Sequence, residues 1–532
     1  MIETPTFALA AVAAPHQLAA ETGQAILAQG GNAVEAMVAM AATAAVVYPH
    51  MNGLGGDGFW LVREPGGRVH ALDACGPAGS LATLERYGGR GYDEIPPRGP
   101  DAVVTLPGAV SGWGLALELS RSRGGQLPLD VLLADAVRHA RQGCPVSRSE
   151  ARYVVKEREA VHAAPGFAEA FLAEGKTPEA GAIRRQPALA AALDQLAHAG
   201  LADFYRGDVG REIAADLERL GAPITRRDLE TYRARVAVPL QLRLKDCTLY
   251  NFPPPTQGLA ALLLLGIFDG LNVRAGETPE HHHGLIEATK RAFAIRDRVV
   301  TDPRELTHDP AAFLTARVIE REASRIDARR AAPFPLPPPA DGDTIWMGAI
   351  DGEGLAVSYI QSLFWEFGSG CVLPATGLLM SNRGRGFSLD PRSKNPLAPG
   401  RKPFHTLNPP LAAFDDGRVV SYGTMGGEAQ PQFSAQVFTR YARFGMGPAD
   451  AVDAPRWLLG RAWGADRATL KVENRFDEGI LRALRERGHE VEETGQPYLD
   501  SLGHAGLLVK HRRDGRVEAT HDPRADGGAM GL

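Results

Sequence analysis

The sequence predicts an α+β protein built as a sandwich, with strands covered by helices on both sides. Three observations carry this. Segments of helical periodicity bracket segments that read as strands. Strand–helix–strand alternation is sparse, which argues against a doubly wound sheet. After Thr344 the texture changes to alternating strands and Gly-Pro turns.

Taken in order, "FALAAVAAP" reads as an opening strand and "HQLAAETGQAILAQG" as a helix, because its apolar positions recur at helical spacing. Gly30-Gly31 ends that helix, and Asn32 caps the next, "AVEAMVAMAATAAVVY". A helix apolar nearly all round belongs between layers. "GFWLVRE" and "RVHALDA" are β-like, and a helical section broken by loops runs from about 111 to 220. "LQLRLKDCTLYNF" reads as two strands and a turn, "QGLAALLLLGIFDGL" as a buried helix, and "PEHHHGLIEATKRAFAIRDRVV" as a long amphipathic one. The interval 303–343 is polar, then Pro-rich, and reads as a linker. Beyond it come strands at "TIWMGAI", "LAVSYIQSL", "PPLAAFD" and "RVVSYGTMGG", helices near 431–445 and 476–488, and closing strands "HAGLLVKHR" and "RVEATHD". No internal repeat is visible.

The totals narrow the function classes. A chain of 532 residues holds one large core or two to three domains. Its 44% hydrophobic and 23% charged residues are those of a soluble globular protein. A net charge of −5 with no basic run gives a nucleic-acid role no support. Cys75, Cys144, Cys247 and Cys371 are far apart, the pattern of reduced intracellular thiols. No Lys or Arg precedes the first apolar stretch, and Glu3 sits ahead of it, so it makes a poor signal peptide. The longest apolar window, 36–48, falls short of the roughly 20 residues of a membrane span. A cytoplasmic protein is expected.

Four features invite chemistry. "GLGGDG" (53–58) fits G-x-G-x-x-G, but a helix precedes it and a strand follows, the reverse of a dinucleotide site. A tight turn where backbone approaches something closely is the better reading. "HHH" at 281–283 fans its side chains about 100° apart, so the three cannot share one ion, and a solvated helix start is expected. No signature marks a cysteine nucleophile. Thr344 is different, because it begins a strand at the end of a Pro-rich tether, "PPPADGD". Cleavage between Asp343 and Thr344 would give it a free α-amine, with a pKa near about 8, as base beside its own hydroxyl. Gly426 and Gly427 in "GTMGGEAQ" offer N–H groups for an oxyanion hole.

Collinear stretches along nearly the whole chain then carry a resemblance. They include "GGNAVEAMVAM", "NGLGGDGFWLV", "LPGAVSGW", "FPPPTQG", "LAPGRKPFHTLNP", "GTMGGEAQPQ" and "DPRADGGAMG". The sequence resembles the γ-glutamyltransferase family of N-terminal-nucleophile hydrolases. The resemblance implies a four-layer αββα sandwich, self-cleavage before Thr344, and two subunits, 1–343 and 344–532, forming one integrated domain, with no cofactor or metal. It makes Thr344 the nucleophile, Ser362 its supporting hydroxyl, and Gly426 and Gly427 the oxyanion glycines.

Departures from the family pattern fall in the glutamate pocket. Cys75 stands where an arginine would hold the substrate α-carboxylate, and His405 and Thr406 replace two serines. Phe364, Arg383 and Gly386 replace the groups that hold the α-ammonium. An arginine there repels an ammonium. The pattern is most similar to oxamate amidohydrolases, with Arg383 or Arg385 clamping a carboxylate and Phe364 and Trp365 narrowing the space. Two alternatives stay open: a γ-glutamyltransferase or glutathione hydrolase with a rebuilt pocket, and an unprocessed member without catalysis. The expected partners are a small-molecule substrate and the chain's own second fragment, as an αβ heterodimer or a dimer of these.

Overall fold

In a computed structural model, residues 2–334, 343–460 and 469–532 are described. Two seven-stranded antiparallel sheets face each other. The first runs Thr6–Phe7, Val517–His521, Ala505–Lys510, Val419–Thr424, Leu411–Phe414, Cys247–Asn251, Leu240–Arg243. The second runs Gly528–Gly531, Ala11–Ala14, Asp343–Ile350, Ala356–Phe364, Asp57–Arg63, Val69–Ala74, Arg235–Ala237. Each sheet takes strands from both sides of the 343/344 junction.

Alternation along the strands divides the core into layers. On Asp343–Ile350, Ile345, Met347 and Ala349 pack against helices Gln17–Ala28 and Ala33–Val47. Trp346 and Ile350 point the other way, onto Leu508 and Val517 of the first sheet. The first sheet's outer face, with Leu249, Ala412, Val420 and Leu507, is covered by helices Gly258–Gly270, Pro279–Val299 and Gln430–Ala442. The order is helices, sheet, sheet, helices.

The all-apolar helix Ala33–Val47 is buried along its full length, as its sequence predicts, and it begins in a capping box of Asn32 and Glu35. Such a cap is worth about 1 kcal/mol.

Three expectations are corrected. The interval 303–343 is not a plain linker: it holds 3-10 turns at Pro303–Glu305 and Pro310–Leu314 and a helix, Ala316–Ala323. Leu314, Ile319 and Ala323 anchor this stretch in the core, and their spacing was hidden by the charged residues between them. Of the cleavage tether, 337–343, residues 337–342 lie outside the described residues. The opening strand is two short strands, and the chain changes sheet between Phe7 and Ala11. His281, His282 and His283 are buried rather than solvated, because the helix enters between the Gln430–Ala442 helix and the Trp457 strand. A small third sheet, Trp457–Gly460, Thr469–Val472 and Val491–Glu493, was not foreseen.

Candidate active site

Thr344 lies at the start of the Asp343–Ile350 strand and is 1% exposed. Pairing with the neighbouring strand slips there, since Asp343 faces Phe364 while Ile345 faces Gln361. Ser362 and Leu363 therefore both sit opposite Thr344. A slip of this kind re-aims the side chain at its centre. Gln430 Nε2 donates to Thr344 Oγ1 at 3.5 Å. At the strand's far end Asp351 accepts from the Ala33 and Leu355 amides, both at 3.0 Å, tying the strand to the start of the buried helix.

Gly426 and Gly427 form the turn between strand Val419–Thr424 and helix Gln430–Ala442, with φ of +124° and +53°. Two consecutive residues in this region demand glycine. A Cβ on Gly426 would also lie 2.7 Å from the Phe433 ring. The turn is braced from behind: Gln257 Nε2 donates to Gly427 O at 2.9 Å and to Thr406 O at 2.7 Å. The buried Arg296 holds Gln257 Oε1 at 3.0 Å and Glu428 at 2.7 Å.

A charged cluster lies beside this neutral one, with Asp57 at its hub. Asp57 Oδ1 accepts from the Gly76 amide at 3.0 Å and Oδ2 from His405 Nε2 at 3.0 Å. The Arg383 guanidinium lies 3.5 Å away. Arg383 also reaches Thr406 Oγ1 and Ser362 Oγ, each at 3.3 Å, and stands 4.1 Å over the Phe364 ring. Phe364 sits at φ +85°, a strained conformation for a side chain of that size. Burial brings Arg383 down to about 10, so it stays charged at neutral pH. Burial, and then Arg383, bring His405 down to about 4. The ring is neutral, with Nδ1 accepting from the Leu407 amide and Nε2–H on Asp57. Burial pushes the Cys75 thiol well up, so it is no thiolate.

The fold thus gathers Cys75, Arg383, His405 and Thr406 about one carboxylate, and sets Ser362 between this cluster and Thr344. Arg385 goes elsewhere: it pairs with Glu94 at 2.6 Å and donates to Ile95 O, its plane near Trp365. Sequence reasoning missed Asp57, although an aspartate entering an otherwise apolar strand in "GLGGDGFWLV" was the available signal. It also missed Gln257, Asn408 and Gln430. The Gly-rich loop is a close-approach turn, since a Cβ on Gly56 would meet Ser362 O at 2.1 Å.

Three groups among the described residues bring metal-ligand types together, all buried but for the partly exposed Glu277: Asp57/Cys75/His405, Glu277/His281/His282 and His283/Glu287/His489. In each, a cation already holds the carboxylate: Arg383 on Asp57, Arg440 on Glu277 and Lys290 on Glu287. A metal ion would have to displace it.

Comparison with known proteins decides the family. The sequence pattern described as gamma-glutamyltranspeptidase matches residues 19–532. The chain belongs to the gamma-glutamyltranspeptidase family. Within that family it is 49% identical over 519 residues to an oxamate amidohydrolase proenzyme of Klebsiella pneumoniae, covering 97% of both chains. It is 37% identical to a glutathione hydrolase-like YwrD proenzyme of Bacillus subtilis, covering 98% of both. The crystal structure of a cephalosporin acylase from Bacillus halodurans superposes with a TM-score of 0.91 at 32% identity, covering 100% of this chain and 97% of that one. The family fold is the four-layer arrangement described above. Among the described residues no helix is long and apolar enough to cross a membrane.

Proposed function

We propose that the chain is a self-processing amidohydrolase that cleaves the amide of a small acid amide, such as oxamate, through a threonyl acyl-enzyme. Scission before Thr344 frees its α-amine. Thr344 Oγ attacks the amide carbonyl, and the amine takes the hydroxyl proton and passes it to departing ammonia. The Gly426 and Gly427 amides stabilise the oxyanion. Water then hydrolyses the ester, returning the threonine and releasing the second carboxylate. The two fragments, 1–343 and 344–532, stay together because each sheet needs strands from both. Four buried, unpaired cysteines suit a reducing cytoplasm.

One observation carries the substrate class. Arg383 is fully buried, yet its polar contacts are all long, at 3.3, 3.3 and 3.5 Å. A buried guanidinium so loosely held favours an anionic partner, and a planar carboxylate matches its fork. The same charge disfavours the α-ammonium of a γ-glutamyl group.

The test is turnover by purified, processed protein of three amides: oxamate, a γ-glutamyl anilide and a cephalosporin. Ammonia release from oxamate at a kcat/KM at least a hundredfold above the others is expected. Preferential turnover of the anilide would overturn the assignment.

A further inference from the structure

Beside Thr344 runs a row of side-chain amides that the reaction as written does not use. Asn251, Asn408 and Gln430 are 1%, 2% and 1% exposed. Asn251 ends a strand of the first sheet, Asn408 lies in the "TLNP" segment, and Gln430 opens the helix after the oxyanion turn.

We propose that Asn251, Asn408 and Gln430 form a one-way carboxamide chain that sets the reactivity of Thr344. Gln430 is the catalytic donor on the nucleophile's oxygen, and Asn408 and Asn251 are positioning residues that fix which end of Gln430 faces it. The proposal deepens the reading of Thr344 as nucleophile and rests on it.

A carboxamide has a donor end and an acceptor end of nearly the same shape, so its neighbours decide its orientation. Here backbone groups decide it at two points. The Phe252 N–H can only donate, and it lies 2.8 Å from Asn251, so that atom is Oδ1. Asn251 Nδ2 then faces Asn408 Oδ1 at 3.3 Å. Asn408 Nδ2 bonds Gln430 Oε1 at 3.1 Å and the Thr406 carbonyl at 3.2 Å. That carbonyl can only accept, so it requires the same orientation independently. Nothing is left for Gln430 but to present Nε2 to Thr344 Oγ1.

The consequence is directional. Thr344 Oγ accepts a hydrogen bond, so its own proton is free to go to the base. A donor also stands ready where negative charge grows during attack. At 3.5 Å the contact is loose before reaction, and a donor that tightens as charge develops contributes to kcat rather than to binding. Burial among neutral groups strengthens each link and makes a reversed amide costly.

Three variants test this, each scored for processing by intact mass and for kcat and KM on the amide substrate. Gln430→Met lowers kcat by about 10²-fold, the scale of losing one preorganised donor, with KM within threefold. Gln430→Glu keeps the acceptor for Asn408 but donates only when protonated, so its kcat rises toward acid relative to the parent. Asn408→Asp cannot donate to Gln430, and its loss disappears in the Gln430→Met background, because it acts through that residue. The chain is refuted if processed Gln430→Met keeps kcat within twofold. It is equally refuted if the Gln430→Glu profile parallels the parent's, or if the Asn408 and Gln430 losses multiply. Should Gln430→Met fail to fold, the Gln430→Glu profile decides. Thr344→Ala separates the two claims: activity in that variant sinks the nucleophile itself, whatever the amide variants show.

Discussion

The two walls of the site are built from different chemistry. On one side of Thr344 stand neutral groups: the Gly426–Gly427 turn, Gln430, Asn408 and Gln257. On the other stand charges: Asp57, Arg383 and, held neutral against them, His405. The neutral wall fits a task in which charge appears only during reaction, because fixed amide dipoles then stabilise what develops without having to reorganise. The charged wall fits a task in which the substrate arrives charged. Arg383 and His405, two positions that the sequence reading takes as departures from the family pattern, both fall on the charged wall.

The sharpest way to break the contrast is to neutralise the charged wall. Arg383→Met leaves Asp57 buried without its cation and the substrate carboxylate without a partner. The expected loss is about 10²–10³-fold in kcat/KM, carried mostly by KM, in line with the 2–5 kcal/mol that truncating a buried charge pair costs. A loss confined to kcat would move Arg383 to the other wall.

Acid sharpens the contrast next. His405 is held at about 4 by burial and by Arg383, against 6.5 when unfolded. Between those values the unfolded chain binds the extra proton, so stability is full above about pH 6.5 and falls as the pH drops toward 4. This residue contributes up to about 3 kcal/mol to that loss. His16, His281, His489 and His521 are lowered in the same sense, so the whole protein is expected to be acid-labile. Urea unfolding at pH 7 and pH 4.5 should show a smaller pH effect in His405→Gln than in the parent. The smallest effect belongs to Arg385→Ala, whose ion pair with Glu94 lies at the rim. Activity there should stay within threefold of the parent.

Which parts were legible in the sequence follows the same division. The buried helix Ala33–Val47 and its Asn32 cap could be read because periodicity and cap chemistry are local. The strand start at Thr344 and the glycine turn at Gly426 and Gly427 could be read because they are local too, while the catalytic roles given to them came from the family resemblance. Arg383 and Arg385 could not be told apart, being two residues apart in one loop. Burial against Phe364 selects the first and Glu94 removes the second, and both contacts span distance the sequence does not encode. Asp57 was hidden inside a motif that suggested a turn. The carboxamide chain was invisible because its links join residues 22 to 157 positions apart. The buried histidines at 281–283 were misjudged because helical spacing reports a face, not what covers it.

The most direct test is the intact mass and N-terminal sequence of purified protein beside its Thr344→Ala variant. The parent should run as two fragments, the smaller beginning at Thr344, and release ammonia. The variant should remain one chain and release none. A parent that turns over oxamate as a single uncut chain, or a variant that keeps the parent's rate, would contradict the assignment of Thr344 as nucleophile.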